Sequence, residues 1–142
     1  MGLRAVSDSL WRERQLLELL LFKFEQERLL LQAGRTQWLS HATREVEMVL
    51  EQLRRAELER ATRVDAACHE LGLPPSGTLR QLAAAAPEPW DGVLRRHRDA
   101  MAAMADEIAS LVADIEGLLA QGHEAARSAL IQVEVARSDP SS

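Results

Sequence analysis

The sequence predicts an all-α fold: an elongated antiparallel helical hairpin or bundle of three long helices with coiled-coil packing and one short helix at the corner. Three observations carry that prediction. Leu, Ala, Arg, Glu and Lys make up 77 of the 142 residues, the composition of long helices and coiled coils. β-formers are scarce, with eight Val, three Ile, two Phe and no Tyr, which disfavours an all-β or parallel α/β domain. Apolar residues also recur at alternating spacings of three and four over most of the chain, the pattern of a helix with one buried seam.

The first helix is expected over residues 8–33. Ser7 or Asp8 can accept from the free N–H groups of its first turn, and Gly34 interrupts it. Leu10, Leu17, Phe24 and Leu31 fall on one line, seven residues apart. Leu16, Leu19, Leu20, Leu21, Phe22, Leu29 and Leu30 add apolar surface nearly all round. A helix of this kind needs burial on more than one side. It either sits centrally between two others or keeps a face for a second chain.

The second helix is expected over residues 35–71, which contain neither Pro nor Gly. As one helix it would be about 55 Å long at 1.5 Å per residue. Leu39, Ala42, Val46, Val49, Leu53 and Ala56 form its seam. The phase then slips, and Ala61, Val64, Cys68 and Leu71 resume it. Gly72, with Pro74 and Pro75 behind it, stops the helix. Glu51 with Arg54 and Arg55, and Glu59 with Arg63, sit three or four residues apart, so the charges read as a solvated face. Such pairs contribute roughly 0.2–0.5 kcal/mol each.

A short helix over residues 79–86 follows Thr78, whose hydroxyl can cap it. Pro87, Glu88 and Pro89 then make a rigid corner. The third long helix spans residues 90–121. Its seam is the longest in the chain: Trp90, Leu94, His97, Met101, Met104, Ile108, Leu111, Ile115, Leu118 and Gly122. That sustained heptad favours left-handed coiled-coil packing. Gly122 is expected to weaken the helix and to separate a C-terminal amphipathic helix over residues 123–137. Its stripe is Ala125, Ala126, Ala129, Leu130, Val133 and Ala136. This piece either extends the third helix onto the bundle or moves independently and offers a groove to a partner helix. Residues 138–142 read as a flexible tail, so residues 1–137 make one elongated domain.

Chemistry is harder to find. His41, His69, His97 and His123 are scattered, with no second His or Cys at metal-ligand spacing. Cys68 and His69 are neighbours on a helix and point about 100° apart, so Cys68 reads as a small buried seam residue. His97 reads as a core or end-of-bundle histidine. No Gly-rich phosphate loop is present. Arg95, Arg96 and Arg98 form a small basic patch with His97, but Asp91, Asp99, Asp106 and Glu107 surround it. With a net charge of −5, nucleic acid is not expected as a partner. Trp11, Trp38 and Trp90 read as end-packing residues, with a role as binding hot spots the alternative. We expect no catalytic residues, cofactor or metal, no secretory signal and no membrane insertion. A single cysteine suits a reducing compartment.

Several segments resemble the FlgN-like flagellar export chaperones, in particular the actinobacterial type. They are LWRERQLLELLLFK at residues 10–23, AGRTQWL at 33–39, ATREVE at 42–47, ELGLP at 70–74, LRQLA at 79–83 and APEPW at 86–90. Their order, with the Gly-Leu-Pro corner and the Pro-Trp step, makes the resemblance specific. It departs at Ile115, Glu116 and Gly117, where the family pattern places a polar Asn. The resemblance implies a cytoplasmic, non-enzymatic bundle that binds hook-associated proteins of the hook–filament junction and delivers them to the export apparatus, with export-gate components as further partners. It places substrate contacts on the C-terminal helix, at Leu118, Leu119, Ala126, Leu130 and Val133. The chain is then a monomer or weak homodimer. The alternative is a helical-hairpin scaffold that homo-oligomerises through its surplus leucine faces.

Overall fold

The computed structural model describes residues 2–74 and 77–138. Four α-helices are present: α1 (Gly2–Gln32), α2 (Leu39–Glu70), α3 (Leu79–Ala85) and α4 (Trp90–Ser138), with a single 3₁₀ turn at Thr36–Trp38 before α2. No strand occurs among the described residues, and the molecule is an all-α helical bundle. Pro75 and the tail residues 139–142 lie outside the described residues, while Ser138, expected in the tail, closes α4.

Both long-helix ends at glycine follow the expected chemistry. Gly34 and Gly72 have φ of 70° and 73°, the left-handed conformation that glycine adopts without a Cβ penalty. Around each, two backbone bonds satisfy the last carbonyls. Arg35 N–H donates to Leu30 O and Gly34 N–H to Leu31 O; Leu73 N–H donates to Cys68 O and Gly72 N–H to His69 O. This is the Schellman arrangement. Thr78 caps α3 as expected, with Gln81 returning the bond in a capping box. The start of α1 differs. It begins at Gly2, and Ser7 is buried inside it rather than capping it. The Ser7 hydroxyl bonds His97 of α4, while Gly2 N–H reaches Glu70 at the end of α2, so the first turn is held by tertiary contacts.

α1 is the central element. Both α2 and α4 pack along it, and their backbones do not approach each other among the described residues. α1 serves both neighbours through two seams set one residue apart. Gly2, Ser9, Glu13, Lys23 and Glu27 find partners on α2. Ser7, Arg14 and Arg28 find theirs on α4. Positions stepping by four and three from 2 and from 3 therefore form adjacent stripes, which is how a helix can be apolar over most of its girth. Trp11, Leu19, Phe22 and Leu29 fall outside both and are exposed.

Beyond Ala56 the buried face of α2 widens: Val64 and Cys68, expected after a phase slip, are buried, and the unslipped alternation is kept beside them. Continuing the same alternation from Ala56 gives Arg60, Arg63, Ala67 and Glu70, and the structure uses these positions. Ala61, expected on the seam, is exposed. Arg60 Nε donates to Glu13 at 2.8 Å, and Arg63 Nη1 donates to Ser9 Oγ at 2.9 Å and to the Ala5 carbonyl at 3.0 Å. Arg60 and Arg63 are therefore half-buried residues that face α1 and not only a solvated face. The i,i+4 pair of Arg63 with Glu59 is also present. The polar layer separates two apolar clusters. One gathers Val6, Leu10, Val64, Cys68, Leu82 and Leu94 near the corner; the other joins Leu16 and Leu20 to Val46, Val49, Leu53 and Ala56.

α4 runs parallel to α1. Ser7 meets His97 and Arg28 meets Asp114, so α1 ends beside the stretch near residue 121. The predicted seam of α4 is buried or half-buried from Trp90 to Leu118. The expected break at Gly122 is absent: α4 is one helix of 49 residues, about 73 Å long. Glycine costs only about 1 kcal/mol in a helix interior, and no proline or capping group follows to end it. A Cβ at Gly122 would meet nothing within 4 Å. Gly122→Ala is accordingly expected to stabilise this part of α4 by about 0.5–1 kcal/mol, read as slower amide exchange at residues 119–130 with the bundle core unchanged.

Candidate partner-binding site

The distal part of α4 outruns the bundle. Every residue from 119 to 137 is exposed, because α1 and α2 offer no backbone beyond the turn at residues 33–38. The five sequence-predicted contact residues divide accordingly. Leu118 is half-buried on the α4 seam at the edge of the bundle. Leu119, Leu130 and Val133 are 45%, 59% and 55% exposed, and Ala126 is exposed with them. Leu119, Ala126, Leu130 and Val133 are spaced seven, four and three apart, so they share one helical face. Ile131, also exposed, points about 100° away from Leu130 and was not singled out from the sequence. Its place at i+1 from Leu130 is the signal that the stripe has a second edge.

The projecting segment is a single exposed stretch of helix. It offers an apolar line about 20 Å long from Leu119 to Val133, with a small Ala in the middle where another helix can approach closely. An exposed apolar line of this kind is a candidate interaction surface.

A second constellation lies at the other end, where α1 crosses the start of α4. His97 is 2% exposed. Arg14 Nη1 donates to His97 Nδ1 at 3.2 Å, so Nδ1 is the acceptor and Nε2 carries the proton. Nε2 donates to Ser7 Oγ at 3.1 Å. Burial, followed by the positive charges of Arg14 and Arg96, holds the imidazole pKa below its usual range. His97 is thus a neutral, satisfied interior histidine. Trp11 packs edge-on against its ring at 4.8 Å between centroids, and the Arg14 guanidinium lies 4.3 Å over the indole. Trp11 sits ten residues into α1 rather than at its start, and sequence reasoning missed its pairing with His97, which no local pattern encodes.

The remaining candidates lie elsewhere in the fold. Cys68 is buried and free; burial, then the charge of Asp65, pushes its thiol up and keeps it unreactive. Trp38 is exposed beside His41, and Trp90 packs against the corner cluster. Burial outweighs Arg60 at Glu13 and lifts its carboxyl above the usual range. Among the described residues no group of three His, Cys, Asp or Glu is arranged to hold a metal ion. No helix there is long and apolar enough to cross a membrane.

Comparison with known proteins agrees with this geometry. The family model described as FlgN protein matches residues 1–139, which takes in all four helices and the projecting segment. No curated protein and no solved structure gives a match. A helical bundle with an exposed apolar extension, matched along nearly its whole length, belongs to the FlgN family, a family of flagellar export chaperones.

Proposed function

We propose that this protein is a cytoplasmic chaperone, without enzymatic activity, for hook-associated proteins of the hook–filament junction. It binds them through the distal part of α4, keeps them from assembling early and delivers them to the export apparatus. The observation that carries this reading is the uncovered line Leu119, Ala126, Leu130 and Val133 on a helix that extends past its own bundle. An amphipathic helix of the substrate laid along that line would bury apolar surface on both partners, the helix-to-helix mode of recognition. Leu118, at the bundle edge, sets where the partner helix would end. Export-gate components are further partners in this reading, and the free protein is a monomer or weak homodimer.

Calorimetric titration with purified hook-junction proteins tests it. The full chain is expected to bind one of them with micromolar or better affinity. Deletion of residues 123–142 is expected to weaken binding at least 100-fold while the thermal midpoint of the bundle moves by no more than a few degrees. If the full chain binds none of these proteins, the function is wrong. If the truncated chain binds as tightly, only the placement of the site is wrong.

One observation favours a second reading, a scaffold that homo-oligomerises. Trp11, Phe22 and Leu29 lie on one exposed line of α1, at 51%, 56% and 55% exposure. Light scattering at micromolar concentration separates the two: a stable symmetric oligomer supports the scaffold.

A further inference from the structure

The basic patch seen in the sequence at Arg95, Arg96 and Arg98 is incomplete without α1. In the fold, Trp11 and Arg14 come to lie against Val93, Arg96 and His97, and the five residues line an open recess of about 400 Å³. Its floor is apolar, formed by the indole and Val93. Two guanidinium groups border it. Arg95 pairs with Asp91, but neither Arg14 nor Arg96 has a carboxylate partner among the described residues, and Arg14 bonds only the uncharged His97. The neighbours that fix Arg14 also aim it. The indole lies under its face and the imidazole takes one N–H, which holds the guanidinium in the lining of the recess with its other N–H groups unused by any carboxylate among the described residues. Guanidinium groups held in this way favour a planar carboxylate, which accepts two parallel bonds.

We propose that this recess is a second protein-docking site, which takes an acidic segment of a partner polypeptide with a carboxylate between Arg14 and Arg96 and an adjacent apolar side chain on Trp11 and Val93. Charge complementarity selects this occupant. Arg14 and Arg96 bring two positive charges to one recess with no carboxylate partner among the described residues, while Asp91 and Asp99 lie close to Arg96 along α4. A nucleic acid brings many phosphates and would meet those carboxylates, whereas a single acidic side chain fits between them. The recess lies on the proximal part of α4. Arg96 and Leu119 are 23 residues apart, about 35 Å along the helix, so the two surfaces can be occupied at once. The proposal does not rest on the binding of hook-junction proteins.

The test is fluorescence anisotropy at low ionic strength with a labelled twelve-residue Gly-Ser peptide that carries one Glu-Leu pair at its centre. A peptide with Gln for Glu and a twelve-nucleotide single-stranded DNA are the comparators. The full chain is expected to bind the acidic peptide at least tenfold more tightly than either comparator. Arg96→Glu, at an exposed position, is expected to weaken binding at least tenfold with unchanged thermal midpoint, and Arg14→Gln to weaken it severalfold. Removal of residues 123–142 is expected to leave the affinity within twofold. Equal binding of the Glu and Gln peptides, tighter binding of the DNA, unchanged binding by Arg96→Glu, or loss of binding on truncation would each overturn the proposal.

Discussion

Arg60→Ala is expected to destabilise the protein by about 3 kcal/mol at neutral pH, although Arg60 looks from the sequence like one of many surface charges. Its partner decides the cost. The Glu13 side chain is fully buried, with Oε1 bonded to Arg60 and Oε2 already without a hydrogen-bond partner. Removing the guanidinium leaves Glu13 in the interior with nothing to offset the lost hydration of its charge, so that it takes up a proton at a free-energy cost set by the pH. Breaking a buried pair in this way typically costs roughly 3–5 kcal/mol, and the lower end applies because Arg60 itself is partly exposed. The pH dependence gives the signature. Burial raises the Glu13 carboxyl in the folded state, and loss of Arg60 raises it further. The folded variant then holds a proton that the unfolded chain releases, so its deficit is largest at neutral pH and shrinks as pH falls toward the ordinary carboxylate range. Urea unfolding at pH 7 and pH 5 checks this. Replacing both partners by Leu is expected to be neutral or stabilising, because an apolar pair of similar volume removes the desolvation cost altogether.

Leu94→Ala is expected to cost a similar amount for a different reason. Leu94 is fully buried in the corner cluster, where α1, α2, α3 and α4 meet around Leu10, Cys68 and Leu82. Four elements fix the surroundings, so the space left by the side chain cannot readily close. Leucine-to-alanine changes of this kind cost about 2–5 kcal/mol, and a value near 3–4 is expected here by urea unfolding at neutral pH. Leu119→Ala is the control. That leucine lies on the projecting part of α4 at 45% exposure, and surface substitutions of this sort stay within about 0.5 kcal/mol. A comparable loss at both positions would mean that the distal part of α4 is packed in solution.

What the sequence made legible follows from how each contact is encoded. The α4 seam is apolar at nearly every position, so its period could be read directly, and all of it from Trp90 to Leu118 turned inward. The α2 seam was legible from Ala42 to Ala56 and again at Val64 and Cys68, which are buried. Between them Arg60 and Arg63 face α1, and a charge is recognised as facing a neighbour only when its partner on α1 is in view. Counting by fours and threes through the arginines, rather than from one apolar residue to the next, would have found them. The surplus leucine of α1 left two readings open, a central place or a face for a second chain; α1 is central, with Leu16 and Leu20 on the α2 side, while Leu19, Phe22 and Leu29 stay exposed. The amphipathic stripe beyond Leu118 was visible as a pattern. Its projection was not, because that depends on where α1 and α2 end. The recess at Trp11, Arg14 and His97 was half legible, since its α4 arginines are contiguous but its α1 residues lie more than eighty positions away.

The central place of α1 orders the events of synthesis. The α1–α2 hairpin closes through a short local turn and can form as soon as those seventy residues have left the ribosome. The α4 stripe of α1, by contrast, waits for residues made some eighty to ninety positions later. Contacts of such sequence separation form late, since a long loop must close before they repay it. Until then, the nascent hairpin carries an open apolar flank of the shape that α4 will fill. A member of a family of flagellar export chaperones thus passes, during its own making, through a state in which an apolar helix face of its own lies open.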